Sequence, residues 1–337
     1  MKLVSYTLKK KDRIGICNNN NIYDLKECAQ GLGIELPSRM RRFLLGGDKM
    51  MEQAKQVNSA ILEGNITSNV EDSKLKLLAP IPKPTSCRDA YAFRQHVATA
   101  RRNRGVPMID EFDQFPVFYL TNHNAIIGPG DVKLESDHFL KLDFELEAAI
   151  VIGKRGKNIS VKEADSYIAG YLVMNDISAR VLQMEEMKLN LGPAKGKDFA
   201  TAIGPWLVTP DELESYKIET EFGSKYDLRM TAKHNDKLIS DGNMKDMDWT
   251  FAEIIERASY GVELVPGDVI GSGTVGTGCY LELNGTWALE AKEKGEDFTP
   301  IWIEEGDSME LEIAGLGVLT NKFLKRKKDR SILAKKK

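Results

Sequence analysis

The segment Leu142-Asp143-Phe144-Glu145-Leu146-Glu147-Ala148-Ala149-Ile150-Val151-Ile152 holds the residues whose types and spacing most invite chemistry. Read as a strand, it alternates faces, so Glu145 and Glu147 share one side and Phe144, Leu146 and Ala148 the other. Two neighbouring carboxylates repel unless a positive charge lies between them, and a hard divalent cation is one such charge. The competing reading is a solvated strand face with Lys or Arg neighbours, which an ExE pattern alone favours. Further on, Tyr171 to Asn175 reads as a strand with Asp176 at its end, and Ser178 to Met187 as a helix. Asp176 fits an N-cap. Helical spacing puts Arg180 and Gln183 on one face, with Met187 four residues beyond. A cation and an amide beside a carboxylate cluster suit an anion held above a metal. Taken alone, Arg180 would be a surface partner of Glu185 or Glu186, which contributes little.

Three weaker signals accompany this one. Gly192 to Thr201 is glycine-rich but lacks the GxxxxGK[ST] spacing of a phosphate-binding loop, and Lys195 in it reads as a solvated loop lysine. His96 is one of four histidines; imidazole is the natural general base near neutral pH, although a lone His is more often structural. Gly271 to Gly278 supplies turn glycines, and Glu282 just after them reads as an exposed strand acid. HExxH, CxxC, GxSxG and GxGxxG-after-strand patterns are absent, so zinc peptidase, serine hydrolase and Rossmann dehydrogenase readings lack support.

The elements that must position these groups are mostly strands. Residues 1–30 read as short strands with a polar turn at Asn18 to Asn21. Residues 38–63 read as helical, with Ser38 as N-cap and a break at Gly46-Gly47. Pro80, Pro82 and Pro84 stiffen a connector near which a domain boundary is placed. Beyond it, Tyr167 to Met174, Leu228 to Asn235, Val269 to Ile270 and Met309 to Ile313 read as strands, and Thr250 to Ser259 as a helix. Strands outnumber helices without regular alternation, which favours a mainly antiparallel α+β architecture over a doubly wound one.

Composition narrows the class. With 337 residues, 42% hydrophobic and 29% charged, the chain is long enough for two domains and too apolar for global disorder. The apolar run Ala148 to Ile152 falls far short of the ~20 residues of a membrane helix. A lysine cluster, not an apolar leader, follows the N-terminus, and four scattered cysteines fit a reducing compartment, so a cytoplasmic location is expected. Residues 322–337 carry nine Lys/Arg against Asp329, so the remaining chain is strongly acidic, which argues against a nucleic-acid surface. The tail itself reads as a frayed, solvated terminus.

The phrases LDFELEAAIVIG (142–153), MNDISARVLQ (174–183), LGPAKGKDFAT (191–201), GSGT (271–274) and YLEL (280–283) together resemble the fumarylacetoacetate hydrolase family over roughly residues 80–320. The resemblance implies a β-roll catalytic domain over 80–325, a small SH3-like or helical N-terminal domain over 1–79, a basic tail over 326–337, and a homodimer. It implies Mg²⁺ or Ca²⁺, with Mn²⁺ also accepted, bound by Glu145, Glu147 and Asp176, with Asp89 as a fourth carboxylate. It implies His96 as catalytic base paired with Glu282. Arg180, Gln183 and Lys197 match the polar groups around the leaving fragment; Tyr91, Tyr119 and Thr274 match substrate contacts. The family's arginine after the histidine corresponds to Arg101, Arg102 or Arg104, with Arg104 taken here. Met187 stands where animal enzymes carry a tyrosine. The Asp89/His96/Glu282 set separates this branch from the shorter acylpyruvate hydrolases and decarboxylases.

The activity so implied is hydrolysis of a carbon–carbon bond in a β-diketo acid, foremost fumarylacetoacetate to fumarate and acetoacetate in tyrosine catabolism. The alternative is a lyase or isomerase on the same scaffold: a 2-oxo acid decarboxylase, a 2-keto-3-deoxy sugar acid dehydratase or a hydroxymuconate isomerase. A non-catalytic binding protein is disfavoured by the intact set of acid, base and cations. The partner expected is a small diketo acid, with neither nucleic acid nor membrane.

Overall fold

The computed structural model describes residues 1–70 and 75–333. Its frame follows from strands apolar on both faces. In Leu146–Ile152, Leu146, Ala148, Ile150 and Ile152 enter one core while Ala149 and Val151 enter another. That two-residue period is what a strand buried on both sides requires. Ile168–Asn175, beside it in antiparallel register, divides in the same way, with Val173 in the first core and Leu172 and Met174 in the second.

These strands lie in the middle of an eleven-stranded sheet. Its main path runs Asn21–Asp24, Lys11–Asn18, Lys2–Leu8, Thr201–Val208, Ile168–Asn175, Leu146–Ile152, Val269–Gly271, Cys87–Ala90 and Phe118–Thr121. All neighbours on that path are antiparallel except Val269–Gly271 with Cys87–Ala90. The N-terminal strands therefore continue the central sheet, joined through Lys2↔Val208 and Leu3↔Leu207. A five-stranded sheet, ordered Lys237–Asn243, Arg229–His234, Ser308–Ile313, Gly317–Lys325 and Gly130–Leu134, contributes to the first core together with the helix Phe251–Ser259. The second core is closed by the N-terminal helices through Leu25, Phe43, Ala54, Val57 and Ile61.

The strand-dominated, mixed α+β architecture agrees with the pattern of the sequence. Thr250 starts the Phe251–Ser259 helix with a reciprocal cap: its hydroxyl accepts from Glu253 N at 3.2 Å, and Glu253 Oε2 accepts from Thr250 N at 2.8 Å. The 38–63 region forms two helices, Met40–Leu45 and Gly47–Leu62, with Arg39 rather than Ser38 at the first N-cap.

Three local readings change. The expected continuous strand 142–152 breaks at Phe144–Glu145, because Leu142–Asp143 leaves the main sheet to pair with Ser178–Ala179. The helix expected from Ser178 begins at Arg180 for the same reason. The basic tail is seated as far as it is described: Asp137 Oδ2 accepts from Ser331 Oγ at 3.0 Å and from Ile332 N at 2.7 Å, and Asp329 accepts from Ser136 N at 2.8 Å. The last four residues of that tail lie outside the described residues.

Candidate metal centre and active site

Four carboxylates separated by up to 87 positions converge because their strands are neighbours. The register pairs Ala149 with Gly271 and Gly271 with Asp89, while Leu146 faces Asn175. Asp89, Glu147 and Asp176 thus meet at one end of adjacent strands. Glu145 is tied in from the break, its N–H donating to Asn175 Oδ1 at 3.0 Å. One carboxylate oxygen from each of Asp89, Glu145, Glu147 and Asp176 lies within 4.8 Å of the other three, and all four residues are buried. Gly271 permits this approach: a Cβ there would lie 2.5 Å from Asp89 Oδ1 and 2.9 Å from Glu147 Oε2. Gly273, at φ +80°, passes so close to Ala90 O that a Cβ would lie 2.6 Å away. Of the glycines in the GSGT phrase, Gly271 makes room for the acidic cluster and Gly273 for the backbone at Ala90–Tyr91.

Both oxygens of Glu147 and Oδ1 of Asp176 are buried without a hydrogen-bond partner. Leaving a carboxylate in that state is costly, and a cation coordinated by oxygen relieves it. Burial lifts Glu147 well above the usual carboxylate range, with Asp89 adding to the effect. Burial likewise lifts Asp89, with Asp176 adding to it. Glu145 behaves differently. Burial would raise it, but Lys197 and Arg180 outweigh that and hold it at about 2. The residues present fit a hard divalent ion.

Two cations face the cluster. Lys197 Nζ lies 2.5 Å from Glu145 Oε2 and 2.6 Å from Asp176 Oδ2. Arg180 donates from Nη2 to Glu145 Oε1 at 2.7 Å and from Nη1 to Gln183 Oε1 at 2.9 Å. Arg180 is 2% exposed, which sets aside the surface alternative with Glu185 or Glu186 and agrees with a cation beside the carboxylates. Lys195 is exposed and pairs with Asp198. Tyr119 donates its hydroxyl to Asp176 Oδ2 at 2.5 Å.

His96 sits on the helix Arg94–Arg102, its Nδ1 2.6 Å from Glu282 Oε2. A carboxylate only accepts, so Nδ1 carries the hydrogen, and a neutral ring then presents its lone pair at Nε2. The other oxygen of Glu282 accepts from Thr277 N at 2.9 Å. Glu282 is 2% exposed in the first turn of the helix Tyr280–Lys294, not on an exposed strand. The Tyr91 ring stands edge-on to His96 with centroids 5.8 Å apart. Burial pushes the Tyr91 hydroxyl up to about 12, against a smaller opposing pull from Arg104 and Arg101. Arg104 is exposed, bonded to Ala100 O at 3.1 Å; Arg102 reaches Thr286 Oγ1 at 3.2 Å. Thr274 is buried in the glycine turn, and Met187 is half-exposed at the end of the Arg180 helix.

One member of the site escaped the sequence reading. Asp143, fully buried, accepts from Arg180 Nε at 2.8 Å. The signal was present: the alternation that pairs Glu145 with Glu147 places Asp143 on the same side.

The family profile described as fumarylacetoacetate (FAA) hydrolase C-terminal matches residues 85–324. The chain belongs to the fumarylacetoacetate hydrolase family. It is 29% identical to the oxaloacetate tautomerase YisK of Bacillus subtilis, over 96% of this chain and 100% of that protein. Its fold is shared with a fumarylacetoacetate hydrolase from Exiguobacterium antarcticum at a TM-score of 0.69 and 23% identity, over 97% of this chain and 100% of the other. It is shared too with a maleylpyruvate hydrolase from Sphingobium sp. SYK-6, solved in complex with manganese(II) ion and pyruvate, at a TM-score of 0.66 and 21% identity, over 96% and 99% of the two chains. Enzymes of this family thus include tautomerases and hydrolases. Among the described residues no helix is long and apolar enough to cross a membrane.

Proposed function

We propose that this family member is a divalent-metal-dependent hydrolase of a carbon–carbon bond in a β-diketo acid, fumarylacetoacetate or a close acylpyruvate. The observation that carries the reading is the buried His96–Glu282 pair, 2.6 Å apart, beside an all-oxygen cluster with orphaned carboxylate oxygens. Held by Asp89, Glu145, Glu147 and Asp176, a Mg²⁺, Ca²⁺ or Mn²⁺ ion would supply Lewis acidity to the oxygens of a 1,3-dicarbonyl; the manganese of the maleylpyruvate hydrolase complex supports that choice of ions.

The chain's own groups account for the proton movements. His96 Nε2 accepts a proton from water while Nδ1–H stays on Glu282, which orients the ring and offsets the charge it gains. The hydroxide oxygen bonds to the acyl carbon, the adjacent carbon–carbon bond breaks, and its electron pair leaves as an enolate. His96 returns the proton to the enolate carbon. Arg180, Gln183 and Lys197 supply hydrogen-bond donors for the oxyanion, the enolate oxygen and a substrate carboxylate. Tyr119, bonded to Asp176, and Thr274, buried in the glycine turn, are the substrate contacts of this reading.

A second reading, keto–enol tautomerisation of a 2-oxo dicarboxylic acid, is favoured by the full-length similarity to YisK. It uses His96 to carry a proton between carbon and solvent without attack by water on a ketone. Turnover in ¹⁸O-labelled water with Mg²⁺, on fumarylacetoacetate, acetylpyruvate and enol-oxaloacetate, separates the two. Hydrolysis places label in the newly formed carboxylate and consumes the diketone absorbance. Loss of enol absorbance from oxaloacetate, with no diketo acid cleaved, replaces hydrolysis by tautomerisation.

A further inference from the structure

The helix that carries Glu282 has no cap of its own. Its N-cap residue, Cys279, makes no side-chain cap hydrogen bond. The free N–H groups at its start are instead taken by a residue from far along the chain: Tyr280 N donates to Asp143 Oδ1 at 2.7 Å, and Leu281 N donates to Asp143 Oδ2 at 2.9 Å. A full negative charge at a helix N-terminus also meets the positive end of the helix dipole. Glu282 is the next residue, and its two oxygens are committed to Thr277 N and His96 Nδ1. Where Asp143 sits therefore sets where Glu282 begins.

The same carboxylate holds the opposite flank of the pocket. Asp143 Oδ2 accepts from Arg180 Nε at 2.8 Å and lies 2.7 Å from Arg180 Nη2, the nitrogen that also bonds Glu145. Asp143 Oδ1 further accepts from Phe144 N at 2.9 Å, which pins the chain where the strand breaks toward Glu145. Each of these contacts brings a donor to Asp143.

We propose that Asp143 is a positioning residue that couples the His96–Glu282 pair to the Arg180 cation, so that base and anion-binding group keep a fixed separation across the pocket. The proposal rests on the reading of His96 as the base. It predicts that an isosteric amide fails: in either orientation, an asparagine side chain at this position would turn its N–H₂ group toward main-chain N–H donors or toward Arg180.

The decisive variant is Asp143→Asn, studied as the full chain with Mg²⁺. The short bond from His96 Nδ1–H to Glu282 gives a far-downfield imidazole proton in the NMR spectrum, assigned by its loss in His96→Gln. In Asp143→Asn that resonance should vanish or move upfield while the melt shows a folded protein. The kcat should fall about 100-fold, the scale expected when a catalytic group is displaced by about an ångström. A folded variant with an unshifted resonance overturns the coupling whatever happens to the rate. Should Asp143→Asn not fold, Leu281→Pro decides. It removes one N–H that Asp143 accepts, at the second residue of the helix, where no main-chain acceptor within the helix is lost, and should weaken the same resonance; an unchanged resonance there overturns the proposal. The signal needs no turnover. If the chain cleaves no diketo acid, the hydrolase reading fails while a lost resonance still upholds the coupling.

Discussion

Asp143 and Glu147 lie four residues apart, on either side of the break at Phe144–Glu145, and both are fully buried. Their surroundings are opposite. Every oxygen of Asp143 is met by a main-chain N–H or by Arg180, so its charge is compensated within the chain. Neither oxygen of Glu147 meets any donor, and its neighbours are further acids. Burial of a carboxylate therefore says little about its work; the number of donors around it says much. The satisfied one builds the pocket, and the orphaned ones mark where a cation belongs.

The contrast predicts stability changes of opposite sign in metal-free protein. Asp143→Asn removes one partner of a buried ion pair and should destabilise by about 3–5 kcal/mol. Glu147→Gln removes a buried charge with no partner. It should leave the metal-free protein unharmed or more stable by roughly 1–2 kcal/mol at alkaline pH, and should abolish the rise in melting temperature on adding Mg²⁺. Urea melts in chelator, repeated with Mg²⁺, test both. Equal destabilisation by the two variants would erase the distinction between satisfied and orphaned acids.

A pH series sharpens it. Asp89 and Glu147 are held well above their ordinary values by burial. A carboxylate raised in the folded state contributes stability that is fully present below its unfolded value and is lost as pH rises through its folded value. Metal-free protein should thus lose stability from about pH 5 upward, by up to about 1.4 kcal/mol per pH unit for each proton retained. Glu145 has the reverse sign: held at about 2, it contributes stability above its unfolded value that is lost as pH falls toward 2. Saturating Mg²⁺ should flatten the upper limb, and the comparison is read from melts with and without the ion. An identical upper limb under both conditions would show that the acids do not share a cation site.

Much of this site was legible in the residues. Asp176 just past a strand end and the Arg180/Gln183 spacing each name a local geometry that the backbone delivers, whereas the ExE pair straddles the break, with Glu145 outside the Leu146–Ile152 strand. Glu282 meets His96 as the resemblance implies, but the exposed-strand alternative stayed open because YLEL is too short for periodicity to separate strand from helix, and the helix cap lies over a hundred residues upstream at Asp143. For Arg180 the surface alternative arose because Glu185 and Glu186 are near in sequence, whereas its partners Asp143 and Glu145 are distant; its placement beside the carboxylates is the reading the geometry matches. The break at Phe144–Glu145 left no mark, since nothing in its composition signals that Leu142–Asp143 changes partner to Ser178–Ala179. The tail's seat on Asp137 depends mainly on backbone N–H groups, which no side-chain pattern reveals.

Two lysines of one loop test the same distinction, and Lys195 carries the smallest expected effect of all. Lys197 is buried and is the short-range counter-charge of Glu145 and Asp176, while Lys195, two residues earlier, pairs with Asp198 in solvent. Lys197→Ala should cost about 3 kcal/mol or more, since it leaves Glu145 with Arg180 alone and Asp176 with no counter-charge, and Mg²⁺ should recover part of that loss. Lys195→Ala should stay within about 0.5 kcal/mol of the parent, as surface pairs do. Thermal melts with and without Mg²⁺ measure both. A metal-sensitive loss in Lys195→Ala would mean that the loop, rather than the individual ammonium, holds the acids together.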